Sequence, residues 1–189
     1  MKTLIKFFEE NVDRFAGNPY MWEKRDGKFK STSYEEMRIL VYKFAAGLHS
    51  IGIRKGDRLS LLAEGRVDWV VAEMGMFYLG AIDVPLSIQL NESTDLIFRI
   101  KHSESCMVVV SESQLPKINS IKDQLPDLKK IILMDQKVIY EQDEIYMGDI
   151  MKLGEDFLTK NMEEFKHIYE SVQGDDIANI CYTSGKPGF

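Results

Sequence analysis

Little in this chain serves redox or metal chemistry. Its 189 residues hold only two cysteines and three histidines. Cys106 and Cys181 sit in separate apolar runs, CMVVV and IANICY, where a free thiol behaves as a small core residue; nothing points to a disulfide scaffold. His49, His102 and His167 are far apart and share no ligand spacing, so they read as helix-side residues rather than a metal set. Basic clustering is also missing. The net charge is −6 and Lys and Arg are scattered among acids, which excludes a nucleic-acid-binding face. No long uninterrupted apolar run occurs: the most apolar stretch, 69–86, is broken by Glu73, Gly80 and Asp83, so it reads as a buried helix and strand and not as an integral membrane segment. The N-terminus reaches Glu9 and Glu10 after only a few apolar residues, which is no secretory signal; the expectation is a cytoplasmic protein. Repeats and low-complexity segments are absent too.

Two nucleotide-binding signatures are missing. No GxGxxG follows any expected strand, which removes the dinucleotide fingerprint. A Walker A loop is excluded by Ile180 where its first glycine belongs and Pro187 where Ser or Thr belongs.

What is present is a regular alternation. Leu4, Phe7, Phe8, Val12 and Phe15 have helical spacing. Arg25-Asp26-Gly27 between two short β-prone runs marks a hairpin, because that tight turn needs positive φ. Ser33 with Glu36 forms a capping box that opens an apolar stripe from Met37 to Leu48, stopped at Gly52. Strands are then expected at 58–63, 81–85, 106–110, 130–134 and 177–182, with helices at 67–79, 93–102 and 113–124 between them. Residues 135–148 read as an irregular polar excursion, and 149–158 and 161–172 as two helices, the second capped by Asn161. The continuous runs MVVV and IILM fit strands buried on both faces, so the fold class is α/β: a largely parallel sheet with helices on its faces.

The last strand leads into Tyr182-Thr183-Ser184-Gly185, hydroxyls and glycine placed where backbone N–H groups can wrap phosphate oxygens. Alone, three such residues read as a polar turn. Three segments together carry more: Ser33-Tyr34-Glu35-Glu36-Met37 with Ala45-Ala46-Gly47-Leu48 and 52–58; Gly80-Ala81-Ile82-Asp83-Val84-Pro85-Leu86; and Asp176 through Gly185. In order and spacing these resemble the adenylate-forming (AMP-binding) superfamily, and within it the long-chain fatty acid CoA ligases, or acyl-CoA synthetases. The first two segments have complete structural explanations as a helix start, turns and a buried strand.

The resemblance implies that residues 1–189 are the N-terminal portion of the synthetase N-terminal domain, a partial adenylation domain that breaks off within the phosphate loop. It implies ATP, Mg²⁺ and coenzyme A as cofactors of the full-length protein, with fatty acid and nucleotide as substrates. A carboxylate attacks the α-phosphate, pyrophosphate leaves, and the thiol of coenzyme A takes the acyl group. Carried over position by position, it assigns phosphate contact to Thr183, Ser184 and Gly185, with Lys186 adjacent; no catalytic residue and no metal ligand falls in the chain. Where the family's loop continues with a second hydroxyl pair, this sequence passes from Gly185 to Lys186-Pro187-Gly188-Phe189. The expectation is a chain inactive alone, with an apolar edge near 177–189 able to self-associate. The alternative is a non-catalytic binding or interaction module with the same fold.

Overall fold

In the computed structural model, which describes residues 2–183, the chain opens with helix α1 (Leu4–Phe15), capped by the Thr3 side chain. An antiparallel hairpin, β1 (Pro19–Arg25) and β2 (Lys28–Ser33), turns through Asp26 and Gly27, both at positive φ as the Asp-Gly pair requires. The capping box at Ser33 and Glu36 then starts α2 (Tyr34–Ser50): the Glu36 amide donates to the Ser33 hydroxyl at 3.2 Å, and the Ser33 amide donates back to the Glu36 carboxylate at 2.7 Å.

The alternating region follows as β3 (Arg58–Leu62), α3 (Val67–Tyr78), β4 (Ile82–Pro85), α4 (Ser93–His102), β5 (Met107–Val110), α5 (Leu115–Asn119), a 3₁₀ turn at Lys122–Gln124, β6 (Lys130–Leu133), β7 (Glu144–Tyr146) and α6 (Met147–Glu170). Strands β3 to β7 form one parallel sheet in the order β4-β3-β5-β6-β7. Side chains alternate between its faces. Leu59, Leu61, Met107, Val109 and Ile132 enter one core with α1, α2, α3 and α6, while Leu62, Val108, Val110, Ile131 and Leu133 enter a second with α4 and α5. The doubly buried runs have the placement that their lack of alternation predicts.

On the first face α2 and α6 touch backbone to backbone. A Cβ added at Gly154 would lie 1.8 Å from the Lys43 carbonyl oxygen, and one at Gly47 would lie 2.0 Å from that of Ile150, so both positions require glycine. Above this crossing Tyr42, Tyr78, Phe165 and Tyr169 cluster, four of their contacts edge to face with ring centroids 5.1–5.6 Å apart. Glu9 of α1 accepts hydrogen bonds from the Tyr42 and Tyr78 hydroxyls and so ties α1 to two further helices.

Four of the five expected strands take their places, and the fifth differs. Segment 177–182 makes a single parallel bridge, Asn179 with Asp83 of β4. Ala178 packs against the first core, whereas Ile180 and Tyr182 pack against the second. A regular strand puts residues i and i+2 on one face, so this chain rolls over the sheet edge instead of extending it. The fifth strand is β7, inside the expected polar excursion. Expected core residue Cys181 is exposed because of the same roll, and Cys106 is half-buried; both thiols are free. The expected helix at 113–124 is interrupted, α5 giving way to the 3₁₀ turn. The two expected C-terminal helices run together through Asn161, whose non-helical φ/ψ of −135° and 34° marks the kink between them.

Candidate functional site

The candidate loop is approached through a set of local restraints. After α6 the Asp176 carboxylate accepts from the Gln173 amide at 2.7 Å and pairs with Lys55 at 2.5 Å, and these contacts hold it below the usual carboxylate range. Asp176 thus shapes the turn that follows α6. The β4 residue Asp83 then clasps the chain: its amide donates to the Ala178 carbonyl at 3.0 Å, and its carbonyl accepts from the Ile180 amide at 2.9 Å.

Tyr182 is the next anchor. Its hydroxyl lies 2.9 Å from Nδ1 of His102 and donates to the Arg99 carbonyl at 3.1 Å, while the Arg99 guanidinium stands 5.2 Å from the ring centroid. Partial burial raises the Tyr182 phenol above its ordinary range. Thr183 follows immediately and is exposed. Ser184, Gly185 and Lys186 lie outside the described residues. Only Thr183 of the four sequence-assigned positions is therefore placed, at the end of an approach fixed by β4 and α4. Nothing in the linear sequence paired Tyr182 with His102 and Arg99, about 80 residues apart; that contact exists because β4 is the sheet edge beside α4.

The sheet order places its topological switch point between β3 and β5, where open α/β sheets commonly bind ligands beyond the carboxyl ends of their strands. Here that rim carries its own network. Glu64, just after β3, accepts from Ser113 Oγ and Gln114 Nε2, each at 2.6 Å, and these donors outweigh partial burial to pull it down to about 2. Arg66 pairs with Asp135 at 2.7 Å and Asp68 at 2.5 Å, and Asp135 also accepts the Glu112 amide. The polar groups at this rim engage one another. Sequence reading missed the network, although Glu64 and the Ser111-Glu112-Ser113 run stand directly after two expected strands.

A cavity of about 140 Å³ lies on the other side of the edge, between the start of α1, Gly80-Ala81 and residues 172–178. Thr183 does not line it. Among the described residues no three His, Cys, Asp or Glu side chains gather as a metal site, and no helix is long and apolar enough to cross a membrane.

Comparison with known proteins agrees with this architecture. Residues 8–188 match the AMP-binding enzyme family. The chain is 23% identical over 98% of its length to a long-chain-fatty-acid–CoA ligase of Xenopus laevis, covering 25% of that protein. It is 30% identical over 84% of its length to the peroxisomal OPC-8:0-CoA ligase 1 of Arabidopsis thaliana, covering 27% of it. Among solved structures, a long-chain-fatty-acid–CoA ligase from Archaeoglobus fulgidus superimposes with a TM-score of 0.79 at 20% identity, over 99% of this chain and 36% of that one. The coronafacic acid ligase of Pectobacterium brasiliense gives 0.75 at 21% identity, over 93% and 32%. The chain thus spans about a quarter of the length of the curated relatives it matches. A match running through the hairpin, the parallel sheet and the approach to Thr183 establishes that this chain belongs to the AMP-binding enzyme family.

Proposed function

We propose that this chain is the N-terminal part of an ATP-dependent fatty acid CoA ligase, and that Thr183, Ser184 and Gly185, with Lys186 beside them, begin its phosphate-binding loop. The observation that carries the reading is the exposed residue Thr183 directly after Tyr182, at the end of a chain segment clasped to β4 and α4. Such fixed placement is what hydroxyl and backbone donors need if they are to meet phosphate oxygens without reorganising. The long-chain substrate class rests on the relatives' names and on the sequence resemblance.

The residues present fit part of a nucleotide site. Thr183 can donate to a phosphate oxygen, and Tyr182 with its partners fixes where that donor stands. Bound ATP would supply the adenylyl group and pyrophosphate as leaving group, with coenzyme A accepting the acyl group afterwards. No residue of this chain is assigned to Mg²⁺. Adenylation requires a complete donor cradle and balanced phosphate charge together, so the 189 residues alone are expected to be inactive, and a longer protein with the complete loop active.

Fatty-acid-dependent ATP–pyrophosphate exchange tests both parts. Exchange by the longer protein with medium and long acids, and none by the 189-residue chain, is the expected result. Exchange by the short chain would overturn its inactivity. A longer protein inert toward every acid offered would remove the ligase reading and leave a binding module with this fold.

A further inference from the structure

Asp83 combines three features that the proposed chemistry does not use. Its side chain is fully buried, and among the described residues neither carboxylate oxygen has a hydrogen-bond partner. Its own backbone amide and carbonyl make the two bonds that hold residues 178–180 to the sheet. The register sets it beside Leu59 on the first face, against α3, where the half-buried Glu73 is its acidic neighbour.

Among the described residues no cation compensates Asp83. From α3 comes Glu73, and beyond it Tyr20 of β1, whose phenol is raised by burial and by the charges of Tyr34 and Glu73. The β3 neighbour is Leu59, and the clasped segment presents Ala178, Asn179 and Ile180, none of which titrates. Two ionised carboxylates in such a place would repel one another, with Asp83 fully buried. One proton removes both penalties, since a carboxylic acid donates where a carboxylate can only accept.

We propose that Asp83 and Glu73 hold one proton between them, and that this proton keeps the β4 edge closed on residues 178–180, making the pair a positioning device for the segment that carries Thr183. Burial together with the charge of Glu73 pushes Asp83 up to about 8, and burial raises Glu73 as well. The shared proton is then lost just above neutral pH, where the edge must either admit water to two charges or part from the segment it clasps. The link to phosphate binding rests on the proposed function; the proton-dependent clasp does not.

Hydrogen exchange at the Asp83 and Ile180 amides, corrected for base catalysis and followed from pH 6 to 9, reads the clasp directly. Protection is expected to fall at least tenfold between pH 7 and 9 in the native chain and to stay level in Asp83→Asn, which keeps the shape and cannot ionise. Constant protection in the native chain, or an equal fall in Asp83→Asn, would overturn the proposal. The ¹³C carboxyl resonance of Asp83 provides a readout independent of any variant's folding: titration between pH 6 and 9 supports the shared proton, and titration complete below pH 5 refutes it. Neither measurement involves nucleotide, so a failure of ATP–pyrophosphate exchange and a failure of the clasp are separable.

Discussion

The two edges of the parallel sheet each bury a carboxylate, and they treat it in opposite ways. On the β7 edge the Glu144 side chain has no exposure, but Lys137 Nζ contacts its two oxygens at 3.0 and 2.8 Å and the Glu141 amide adds a third bond at 2.8 Å. On the β4 edge Asp83 is as deeply buried and, among the described residues, has no partner for either oxygen. Burying a charge is costly unless it is paired and hydrogen-bonded, so the first edge is a finished structure, with the excursion folded back to complete it. The second depends on protonation. It is also the edge that holds residues 178–180, which lead to Thr183, and sites of function are where such uncompensated groups tend to collect.

The most severe way to break the contrast is to make the finished edge resemble the unfinished one. Lys137→Met retains much of the aliphatic stem and removes the ammonium, leaving Glu144 buried with only the Glu141 amide. Loss of one partner from a buried pair costs about 3–5 kcal/mol. The pair here is reached by solvent on the lysine side, which places the expected loss nearer 2 kcal/mol. Urea denaturation at pH 7 measures it, and a loss under about 0.5 kcal/mol would mean that Lys137 contributes no more than a surface charge.

The reverse change should repair the β4 edge. In the folded chain Asp83 keeps its proton up to about 8, against an ordinary value of 3.8. Between those values the native state binds a proton that the unfolded chain has released, so stability is fully present below 3.8 and declines as pH rises towards 8. Asp83→Asn removes that dependence. It is expected to stabilise the chain at pH 7 by about 1–3 kcal/mol, with little gain at pH 4. Parallel denaturation curves at the two pH values check the sign; equal effects at both would show that the Asp83 proton is not linked to folding.

How legible these edges were in the sequence follows from the physics of each. Interior strands announced themselves: 107–110 and 131–133 are apolar on both faces because helices cover both. The Asp-Gly turn and the Ser33–Glu36 capping box were legible because they depend on neighbours within four residues. Edges depend on distant partners. Glu144-Ile145-Tyr146 is short and begins with an acid, so only its pairing with β6 makes it a strand. Residues 177–182 carry a strand-like composition, yet their side chains divide between the two faces and Asp83 supplies their one bridge. The candidate site was proposed from a motif of which the structure describes only Thr183, and its approach was not legible as geometry, because Tyr182 finds its partners on α4; the sequence marked Asp83 as an interruption in an apolar stretch and as part of the Gly80–Leu86 segment.

The smallest expected effect sharpens the same comparison at the level of one hydroxyl. Tyr182→Phe keeps the ring on the second core and near the Arg99 guanidinium, but deletes the donor to the Arg99 carbonyl and the partner of His102. A hydrogen bond of this kind contributes about 0.5–1.5 kcal/mol, and this one is partly open to water, so global stability should fall by about 0.5 kcal/mol or less. The consequence should be local. With its hydroxyl anchor gone, the segment keeps the Asp83 clasp, its apolar contacts and the Arg99 guanidinium near the ring, and exchange at the amides of residues 180–183 should quicken several-fold while β5 and β6 are unaffected. A uniform change across the sheet would show that Tyr182 supports the whole fold. No change at 180–183 would show that the clasp alone fixes the approach to Thr183, leaving Asp83 as the sole determinant of where that hydroxyl stands.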